Sequence, residues 1–381
     1  MTESAEIHGH CDPSFARVRD AFAGAFESSA EVGAACSVQV DGEAVVDLWA
    51  GWQDASRTRP WERDTLVNVF STTKGMTALC AHLLIDEGRL DLDAPVAAYW
   101  PEFAAADKGA ISFRQLISHQ AGLPALRDPL PTEALFDWQT MTQALAAETP
   151  WWKPGTRHGY HAVTFGWLVG EVVRRISGQS LGAFFRERVA GPLGADFYIG
   201  FGPELDSRVA DLIQGPVHAD DGASFFEEIL KDPESMAARA FMNPPVMGDV
   251  SSSRAWRGAE IPAANGHATA AALAQVYGQL ACGKLLSREG IERAREEQAA
   301  GPDAILPLET RIANGFMLAP QSEPCGPNPR AFNHGGAGGS LGFCDPETRL
   351  GFGYVMNHMH MGAWLIDPRA RDLVGAVYES L

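Results

Sequence analysis

Strand-forming patterns lie near the two ends of this 381-residue chain, and the long stretch between them is mostly helical in pattern. Residues 36–40 and 44–49 are β-prone runs separated by Asp41-Gly42, a pair typical of tight hairpin turns. Residues 339–344 and 350–356 form a second hairpin pattern around a turn-rich segment. Because strands need partners and a shared core, the two ends are expected to build one antiparallel sheet together.

Amphipathic helices are predicted at both termini and through the middle of the chain. Apolar residues at three- and four-residue intervals begin at Phe15 and end at Phe26, and residues 367–381 are expected to close the chain as a helix. The helical segments of the middle part include residues 141–147, 164–176, 181–189 and 270–281.

These patterns predict an α+β fold in which an antiparallel sheet is flanked by N- and C-terminal helices and carries an inserted, mainly helical domain. The α/β domain is expected to comprise residues 1–62 and 300–381, and the helical domain residues 63–299. The active site is expected in the cleft between the two domains.

Charge excludes two classes of partner. The formal net charge of −18, with no lysine-rich run to offset it, would repel nucleic-acid phosphates and anionic lipids. Residues 1–14 lack the basic and apolar regions of a secretory signal, and no apolar stretch reaches membrane-spanning length. We therefore expect a cytoplasmic protein that acts on a small molecule.

Cysteine and histidine spacing gives no metal-site signal. The six cysteines are scattered without a Cys-x-x-Cys pair, so buried free thiols are expected. His358 and His360 lack a further ligand group at metal spacing, and no His-Glu-x-x-His motif is present. Neither a metal nor a cofactor is predicted.

Ser71-Thr72-Thr73-Lys74 carries the strongest chemical signal in the chain. Residues three apart on a helix share a face, so the Lys74 amine could remove the Ser71 hydroxyl proton during attack on a carbonyl. Residues 65–70 are extended in pattern and a helical pattern follows as far as Gly88, which puts Ser71 at a helix N-terminus, where backbone N–H groups favour an oxyanion. The alternative is an N-cap serine beside a solvated lysine.

Tyr160 is the second candidate proton carrier. It follows a turn-rich loop and precedes the apolar pattern of residues 164–176, so it lies where a loop enters a helix. A phenol at that position could share a proton with Ser71 and Lys74, as a base for the incoming nucleophile and an acid for the leaving group. The alternative is a half-buried tyrosine with one structural hydrogen bond.

The candidate oxyanion and substrate-binding segment is His334-Gly335-Gly336-Ala337. Glycines there would let the backbone approach a ligand closely, and the N–H groups of Ala337 and Ser71 are the predicted oxyanion donors. His334 is expected to contact the substrate or Tyr160, or else to be structural.

Ser340 gives a rival signal, because residues 338–342 match the Gly-x-Ser-x-Gly nucleophile elbow. That elbow requires a strand before the serine and a helix after it, whereas Ser340 is expected to enter a strand. We reject Ser340 as the nucleophile.

The ordered motifs Ser71-x-x-Lys74, Tyr160-His161-Ala162 and His334-Gly335-Gly336 resemble those of the serine beta-lactamase and penicillin-binding-protein superfamily. The likeness is greatest to the family VIII carboxylesterases, which are similar to class C beta-lactamases. Further stretches that carry the resemblance are residues 90–96, 116–124 and 265–268. The resemblance implies the two-domain fold, Ser71 as nucleophile, Lys74 as its base, Tyr160 as second proton carrier, and the N–H groups of Ser71 and Ala337 as oxyanion hole.

The chain departs from beta-lactamases at two motifs. It has Tyr160-His161-Ala162 and His334-Gly335-Gly336 where those enzymes usually carry Tyr-x-Asn and Lys-Thr-Gly. The resemblance assigns the lost amide and cation to recognition of the lactam side chain and carboxylate, so their absence favours neutral esters.

The predicted function is hydrolysis of short-chain carboxylic esters through an acyl-enzyme on Ser71. Related alternatives are an acyltransferase and a weak beta-lactamase or peptidase, and a non-catalytic scaffold or binding protein is the alternative from another class. Catalysis near neutral pH requires the pKa of Lys74 to fall from about 10.4 to roughly 7 or 8, a differential cost of about 4 kcal/mol. Apolar side chains that could line an acyl pocket, or else pack in the core, are Trp151, Trp152, Met247, Trp256, Phe316 and Trp364.

Overall fold

The structure is a computed structural model that describes residues 5–28, 31–217, 229–246, 248–361 and 365–381. The strands are β1 (Ile7–Cys11), β2 (Gly33–Val40), β3 (Glu43–Gly51), β4 (Val67–Asn68), β5 (Phe197–Ile199), β6 (Ile213–Val217), β7 (Gly266–Ala268), β8 (Ala299–Pro302), β9 (Glu309–Ile312), β10 (Met317–Leu318), β11 (Phe332–Gly335), β12 (Leu341–Asp345), β13 (Leu350–Met356) and β14 (His358–Met361).

The helices confirm the predicted helical segments, with one exception. They are α1 (Ala16–Ser28), α2 (Thr73–Asp86), α3 (Phe113–Ile117), α4 (Trp138–Ala147), α5 (Thr164–Ser177), α6 (Leu181–Phe185), α7 (Gly191–Leu193), α8 (Met236–Met242), α9 (Arg254–Gly258), α10 (Ala270–Ala281), α11 (Arg288–Ala294) and α12 (Pro368–Tyr378). The single helix predicted over residues 181–189 is instead α6 followed by a π-helical turn, Arg186–Ala190.

The main sheet draws its strands from both ends of the chain. Among the described residues its order is β1-β3-β2-β13-β12-β11-β10-β9-β8, and each neighbouring pair is antiparallel. Pairing of β2 with β13, which sets Val38 opposite Phe352, joins the N-terminal to the C-terminal part. The predicted α+β architecture is confirmed, while the domain bounds remain a prediction.

The two faces of the main sheet are covered by helices of different origin. The terminal helices α1 and α12 pack together on one face, with Phe22 and Val374 in the core beneath them. Helix α10, from the middle of the chain, covers β2 and β13 on the other face, a packing that the sequence analysis did not foresee. Glycines permit it, because a Cβ atom at Gly351 would lie 2.1 Å from the backbone nitrogen of Gly278.

Two smaller sheets lie within or beside the helical part, where the sequence analysis expected few strands. One has the order β4-β7-β5, and the other pairs β6 with β14 in parallel. Strand β4 runs directly into the segment that carries Ser71, so the first of these sheets anchors the candidate nucleophile.

The cysteines are free thiols, as expected. Cys36, Cys80, Cys325 and Cys344 are buried as predicted, whereas Cys11 and Cys282 are partly exposed, so the prediction of buried thiols was wrong for these two. Among the helices that the structure describes, none has the length and apolar character needed to span a membrane.

Candidate active site

A tight turn presents Ser71. The backbone N–H of Val69 donates to the Gly266 carbonyl at 2.8 Å, which holds the end of β4 against β7. Phe70 then adopts φ 42°, in the left-handed region that aromatic residues rarely occupy, and a single 3₁₀ turn over Phe70–Thr72 leads into α2. The hydroxyl of Thr73 donates to the Phe70 carbonyl at 2.5 Å. Ser71 therefore lies at the start of a helix, as predicted, although regular α-helical geometry begins two residues later.

Lys74 is fully buried one turn further along α2. Its Nζ atom lies 3.0 Å from Ser71 Oγ, 2.7 Å from the Ala162 carbonyl oxygen and 2.9 Å from the Ala263 carbonyl oxygen. No carboxylate lies within ion-pair distance of Lys74 in the described part of the chain. The predicted pairing of Ser71 with Lys74 is thus present in the structure.

The three partners of Lys74 suit a neutral amine. A neutral amine has two N–H donors, which match the two carbonyl oxygens, and one lone pair, which then faces Ser71 Oγ. Burial lowers the pKa of Lys74 well below its usual value, because the charged ammonium loses its hydration. The arrangement can accept a proton from the serine hydroxyl.

Tyr160 completes the group. Lys74 Nζ lies 4.7 Å from the centre of the Tyr160 ring, and the tyrosine is buried. Burial raises the pKa of the Tyr160 hydroxyl, against the lowering effect of its hydrogen bond with Ser71. The phenol is therefore protonated near neutral pH and is suited to donating or relaying a proton.

Asp303 positions Tyr160, a role that sequence reasoning missed. Its Oδ1 atom accepts the backbone N–H of Tyr160 at 3.0 Å and those of Ile305 and Leu306 at 2.8 and 2.9 Å. A single carboxylate thus joins the tyrosine loop to a loop 143 residues further along the chain. An aspartate flanked by Pro302 and Ala304 gave no signal of this contact in the sequence.

Two buried histidines brace the same loop from the other side. His119 Nδ1 accepts the backbone N–H of His161 at 3.0 Å, and the His119 ring lies 5.3 Å from that of Tyr160. His161 Nε2 accepts the Leu123 N–H at 3.0 Å, so its protonated nitrogen is Nδ1, which donates to the Gly159 carbonyl at 2.7 Å. Burial, with a smaller effect of Lys74, lowers the pKa of His161 to about 4, so this histidine is a neutral structural support.

The candidate oxyanion segment lies directly against the Ser71 turn. A Cβ atom at Gly336 would lie 2.1 Å from the Val69 carbonyl oxygen and 2.3 Å from Ser340 Oγ, so only glycine allows this approach. The backbone N–H groups of Ser71 and Ala337 have no acceptor among the described residues. Both predicted oxyanion donors are therefore available to a ligand.

His334 is buried beside Tyr160, with the two ring centres 6.3 Å apart. Its Nδ1 donates to the Gly335 carbonyl at 2.8 Å, and its buried Nε2 has no hydrogen-bond partner among the described residues. Burial and the nearby Lys74 lower the pKa of His334 to about 3, so the ring is neutral at working pH. It offers an acceptor atom and no positive charge.

Ser340 has surroundings unlike those of a nucleophile. It is buried, its hydroxyl donates to the Val69 carbonyl at 2.9 Å, and strand β12 follows it instead of a helix. These observations support its rejection as the nucleophile of an elbow.

The described acyl-pocket candidates differ in how deeply they are buried. Trp256 and Phe316 are fully buried in the main core, as the packing alternative predicted, whereas Trp151 is partly exposed and packs beside the Tyr160 cluster. Trp152 is buried and its ring meets that of His161 edge-on. Met247 and Trp364 lie outside the described residues.

The described residues outside the Ser71 site form no metal-ion site, and the large cavity that they line is separate from that site. They contain no group of three or more histidine, cysteine, aspartate or glutamate side chains arranged to hold a metal ion. A surface cavity of about 940 Å³, lined in part by Trp100, Trp138 and Glu260, shares no lining residue with the Ser71 site. The candidate active site is therefore identified from the polar contacts of Ser71, Lys74 and Tyr160, and not from a cavity.

Comparison with known proteins gives a consistent result. The sequence profile of the beta-lactamase family matches residues 18–376. The chain is 38% identical over 365 residues to the Esterase/beta-lactamase LipL of Mycobacterium tuberculosis, a match that covers 93% of this chain and 83% of that protein.

Solved structures are similar over almost the whole chain. A family VIII carboxylesterase shares 43% sequence identity with a TM-score of 0.91, and the match covers 99% of this chain and 100% of that one. A penicillin-binding-protein homologue from Caulobacter crescentus shares 40% identity with a TM-score of 0.90, with the same coverage.

Proposed function

Because the chain belongs to the beta-lactamase family, we propose that it is a carboxylesterase that cleaves short-chain esters through an acyl-enzyme on Ser71. The predicted enzyme class, a serine hydrolase of the esterase and beta-lactamase superfamily, is confirmed by the relatives described above. This result favours an enzyme over the scaffold alternative.

One observation carries the proposed mechanism. A fully buried amine lies 3.0 Å from a serine hydroxyl, and two backbone carbonyl oxygens engage its other donor positions. Burial of a lysine without a carboxylate partner destabilises the fold, and such a group beside a serine hydroxyl is typical of an active site.

Acylation begins when Lys74 accepts the Ser71 proton and Ser71 Oγ bonds to the ester carbonyl carbon. The carbonyl oxygen becomes an oxyanion that the N–H groups of Ser71 and Ala337 stabilise. When the ester C–O bond breaks, the leaving alkoxide takes a proton from the Tyr160 hydroxyl, which the Lys74 ammonium reprotonates. The net transfer moves the serine proton to the alcohol.

Deacylation reverses these roles with water as the nucleophile. Water gives its proton to Lys74 through Tyr160, its oxygen bonds to the acyl carbon, and Ser71 leaves with the returned proton. An alcohol in place of water would yield a new ester, so hydrolysis and acyl transfer differ in the acceptor alone.

Two features support a neutral ester as substrate. His334 lies where a beta-lactamase is expected to carry a cation, and its neutral ring cannot pair with a substrate carboxylate. Apolar side chains pack around Tyr160, among them Ala125, Ile305 and Leu306, and would favour an uncharged acyl or alcohol group on that side.

Steady-state hydrolysis of p-nitrophenyl and ethyl esters of two- to eight-carbon acids, beside the carboxylate-bearing lactam nitrocefin, tests the proposal. We expect kcat/KM to be highest for the shorter neutral esters and low for nitrocefin. Replacement of Ser71 by alanine should reduce ester turnover roughly 10⁴-fold or more. Product partitioning with added ethanol measures the acyltransferase alternative in the same experiment.

The control is Ser37→Ala, which removes another buried serine hydroxyl, one that bonds a carbonyl within the main sheet. Ester hydrolysis should persist in this variant. Full esterase activity in Ser71→Ala would rule out the proposed nucleophile, and a preference for nitrocefin over every ester would overturn the proposed substrate class.

A further inference from the structure

We propose that Ser340 is a positioning residue that fixes the spacing between the two oxyanion donors, the N–H groups of Ser71 and Ala337. The inference rests on the proposed function and deepens it. It gives a role to the Gly-x-Ser-x-Gly segment, which the mechanism otherwise leaves unused.

The Ser340 hydroxyl joins two separate turns. It donates its proton to the Val69 carbonyl at 2.9 Å, so in its 3.1 Å contact with Thr72 Oγ1 the threonine is the donor. The Thr72 hydroxyl also lies 3.4 Å from the Ser340 carbonyl oxygen. A chain of hydrogen bonds therefore runs from Thr72 through Ser340 to Val69.

These contacts bracket the nucleophile, because Val69 and Thr72 lie on either side of Phe70 and Ser71. The backbone between them includes Phe70 at φ 42°, a conformation that the surrounding structure has to hold in place. The same Val69 carbonyl accepts the Thr72 N–H at 3.1 Å, which closes the turn that presents Ser71. Ser340 thus supports the strained turn from outside.

The backbone of Ser340 supports the second donor. Its carbonyl accepts the Gly336 N–H at 2.8 Å, and the Gly336 carbonyl accepts the Gly339 N–H at 3.0 Å. The Arg369 guanidinium donates to the Gly338 carbonyl at 2.6 Å and fixes the far side of this turn to α12. Ala337 lies inside the turn, so Ser340 connects the segments that carry both donors.

Donor spacing matters because an oxyanion hole acts on the transition state. Its hydrogen bonds require about 2.7–3.1 Å, and loss of one donor costs about 10²–10³ in kcat. Ser340→Ala removes the connection without adding bulk, so the donors remain but become less well placed. We expect kcat for an ester to fall about tenfold with KM changed less than about twofold.

Ser37 provides a matched control for this test. It is 2% exposed and Ser340 is 3% exposed, and each hydroxyl donates to a carbonyl oxygen at 2.9 Å. Ser37 lies in β2, paired with β3 and β13, and its hydroxyl bonds the Val46 carbonyl within the main sheet. The two alanine variants should therefore lose similar stability in urea unfolding, and Ser340→Ala alone should lose kcat.

A thionoester substrate separates positioning from a general loss of structure. Sulfur is a poor hydrogen-bond acceptor, so a weakened oxyanion hole lowers the rate for an ester more than that for its thionoester. We expect the ester-to-thionoester ratio of kcat/KM to fall in Ser340→Ala and to stay at the parent value in Ser37→Ala. Thr72→Val, which removes the threonine donor, should shift the ratio in the same direction by a smaller factor.

Failure of the positioning role of Ser340 and failure of Ser71 as the nucleophile would give different experimental results. If Ser71→Ala is inactive and Ser340→Ala matches Ser37→Ala in kcat and in the thionoester ratio, Ser340 has no positioning role. If Ser340→Ala does not fold, an unchanged ratio in Thr72→Val excludes the positioning role in its place. Full activity in Ser71→Ala would instead remove the proposed function itself.

Discussion

The chain buries two lysines completely, and their surroundings differ in ways that are expected to separate a catalytic from a structural lysine. Lys108 Nζ donates to three backbone carbonyl oxygens, those of Ala105, Ala146 and Glu148, at 2.8, 2.9 and 2.5 Å. Lys74 has two carbonyls and the hydroxyl of Ser71. Three carbonyls require three donors and hence an ammonium, whereas two carbonyls and a hydroxyl can be satisfied by a neutral amine.

The two lysines also lie near helix ends of opposite partial charge. Lys108 contacts carbonyls at the C-terminal end of α4, where the helix dipole favours a cation. Lys74 lies in the first turn of α2 and contacts Ala162 just before α5 begins, so it is close to two positive helix ends. Burial lowers the pKa of both lysines, but the Glu148 carboxylate opposes this effect at Lys108.

The aromatic neighbours complete the comparison. Lys108 Nζ lies 5.5 Å from the centre of the Phe103 ring, and Lys74 Nζ lies 4.7 Å from that of Tyr160. Both rings can stabilise a nearby cation, but only tyrosine also carries a hydroxyl that can relay a proton. Burial alone therefore does not make a lysine catalytic, and the identity of its partners decides.

The largest expected effect is a loss of ester hydrolysis, and it should occur in Lys74→Met but not in Lys108→Met. Lys74→Met should lower kcat/KM for a p-nitrophenyl ester by about 10³-fold or more, because the general base is lost. Lys108→Met should leave kcat/KM within about threefold of the parent and lower the free energy of unfolding by about 1–3 kcal/mol, since three carbonyls lose their donor and one of them, that of Ala146, is in a buried contact. Esterase assays and urea unfolding on both variants check this.

The opposite pattern would break the comparison. An active Lys74→Met enzyme would show that the amine near Ser71 is structural. A Lys108→Met enzyme that is fully folded and inactive would show that the second lysine has a role in catalysis.

A smaller effect is expected when Tyr160 is made to resemble Phe103. Tyr160→Phe keeps the ring beside Lys74 and removes the proton relay, so kcat/KM, which reports acylation and not deacylation, should fall about 10²-fold for an ethyl ester. The loss should be smaller for a p-nitrophenyl ester, whose leaving group departs without a proton. Equal losses on the two esters would exclude Tyr160 as the donor to the leaving group.

The pH profile gives the mildest test of the Lys74 assignment. The reactive neutral amine is populated above the lowered pKa of Lys74, so kcat/KM should rise with pH, about tenfold per unit below that pKa, and level off above it. Lys108→Met should give the same profile as the parent, because its pKa does not enter the reaction. A profile that falls with rising pH between about pH 5 and pH 9 would contradict a lysine base.

The elements that carry side-chain chemistry could be predicted from the sequence. Ser71 and Lys74 share a helix face because of their spacing, and the loop-to-helix position of Tyr160 followed from the apolar pattern after it. The paired terminal hairpins predicted the main sheet in the same way. In each case the signal came from residue types at regular intervals.

The contacts that tune the site could not be predicted, because backbone atoms carry no residue-type signal. Any residue could supply the carbonyls of Ala162 and Ala263, and their approach to Lys74 depends on tertiary packing. Asp303 and Ser340 act on segments more than a hundred residues away, and neither lies in a spacing that indicates this. Packing of α10 on the main sheet was missed for the same reason.

Intact-mass spectrometry after brief exposure to a fluorophosphonate and to a short-chain p-nitrophenyl ester tests the central claim most directly. The parent and Lys108→Met should each gain one adduct, mapped to the peptide that contains Ser71, while Ser71→Ala gains none and Lys74→Met reacts far more slowly. An adduct on folded Ser71→Ala, or none on the folded parent with either reagent, would contradict the assignment of Ser71 as the acylated nucleophile.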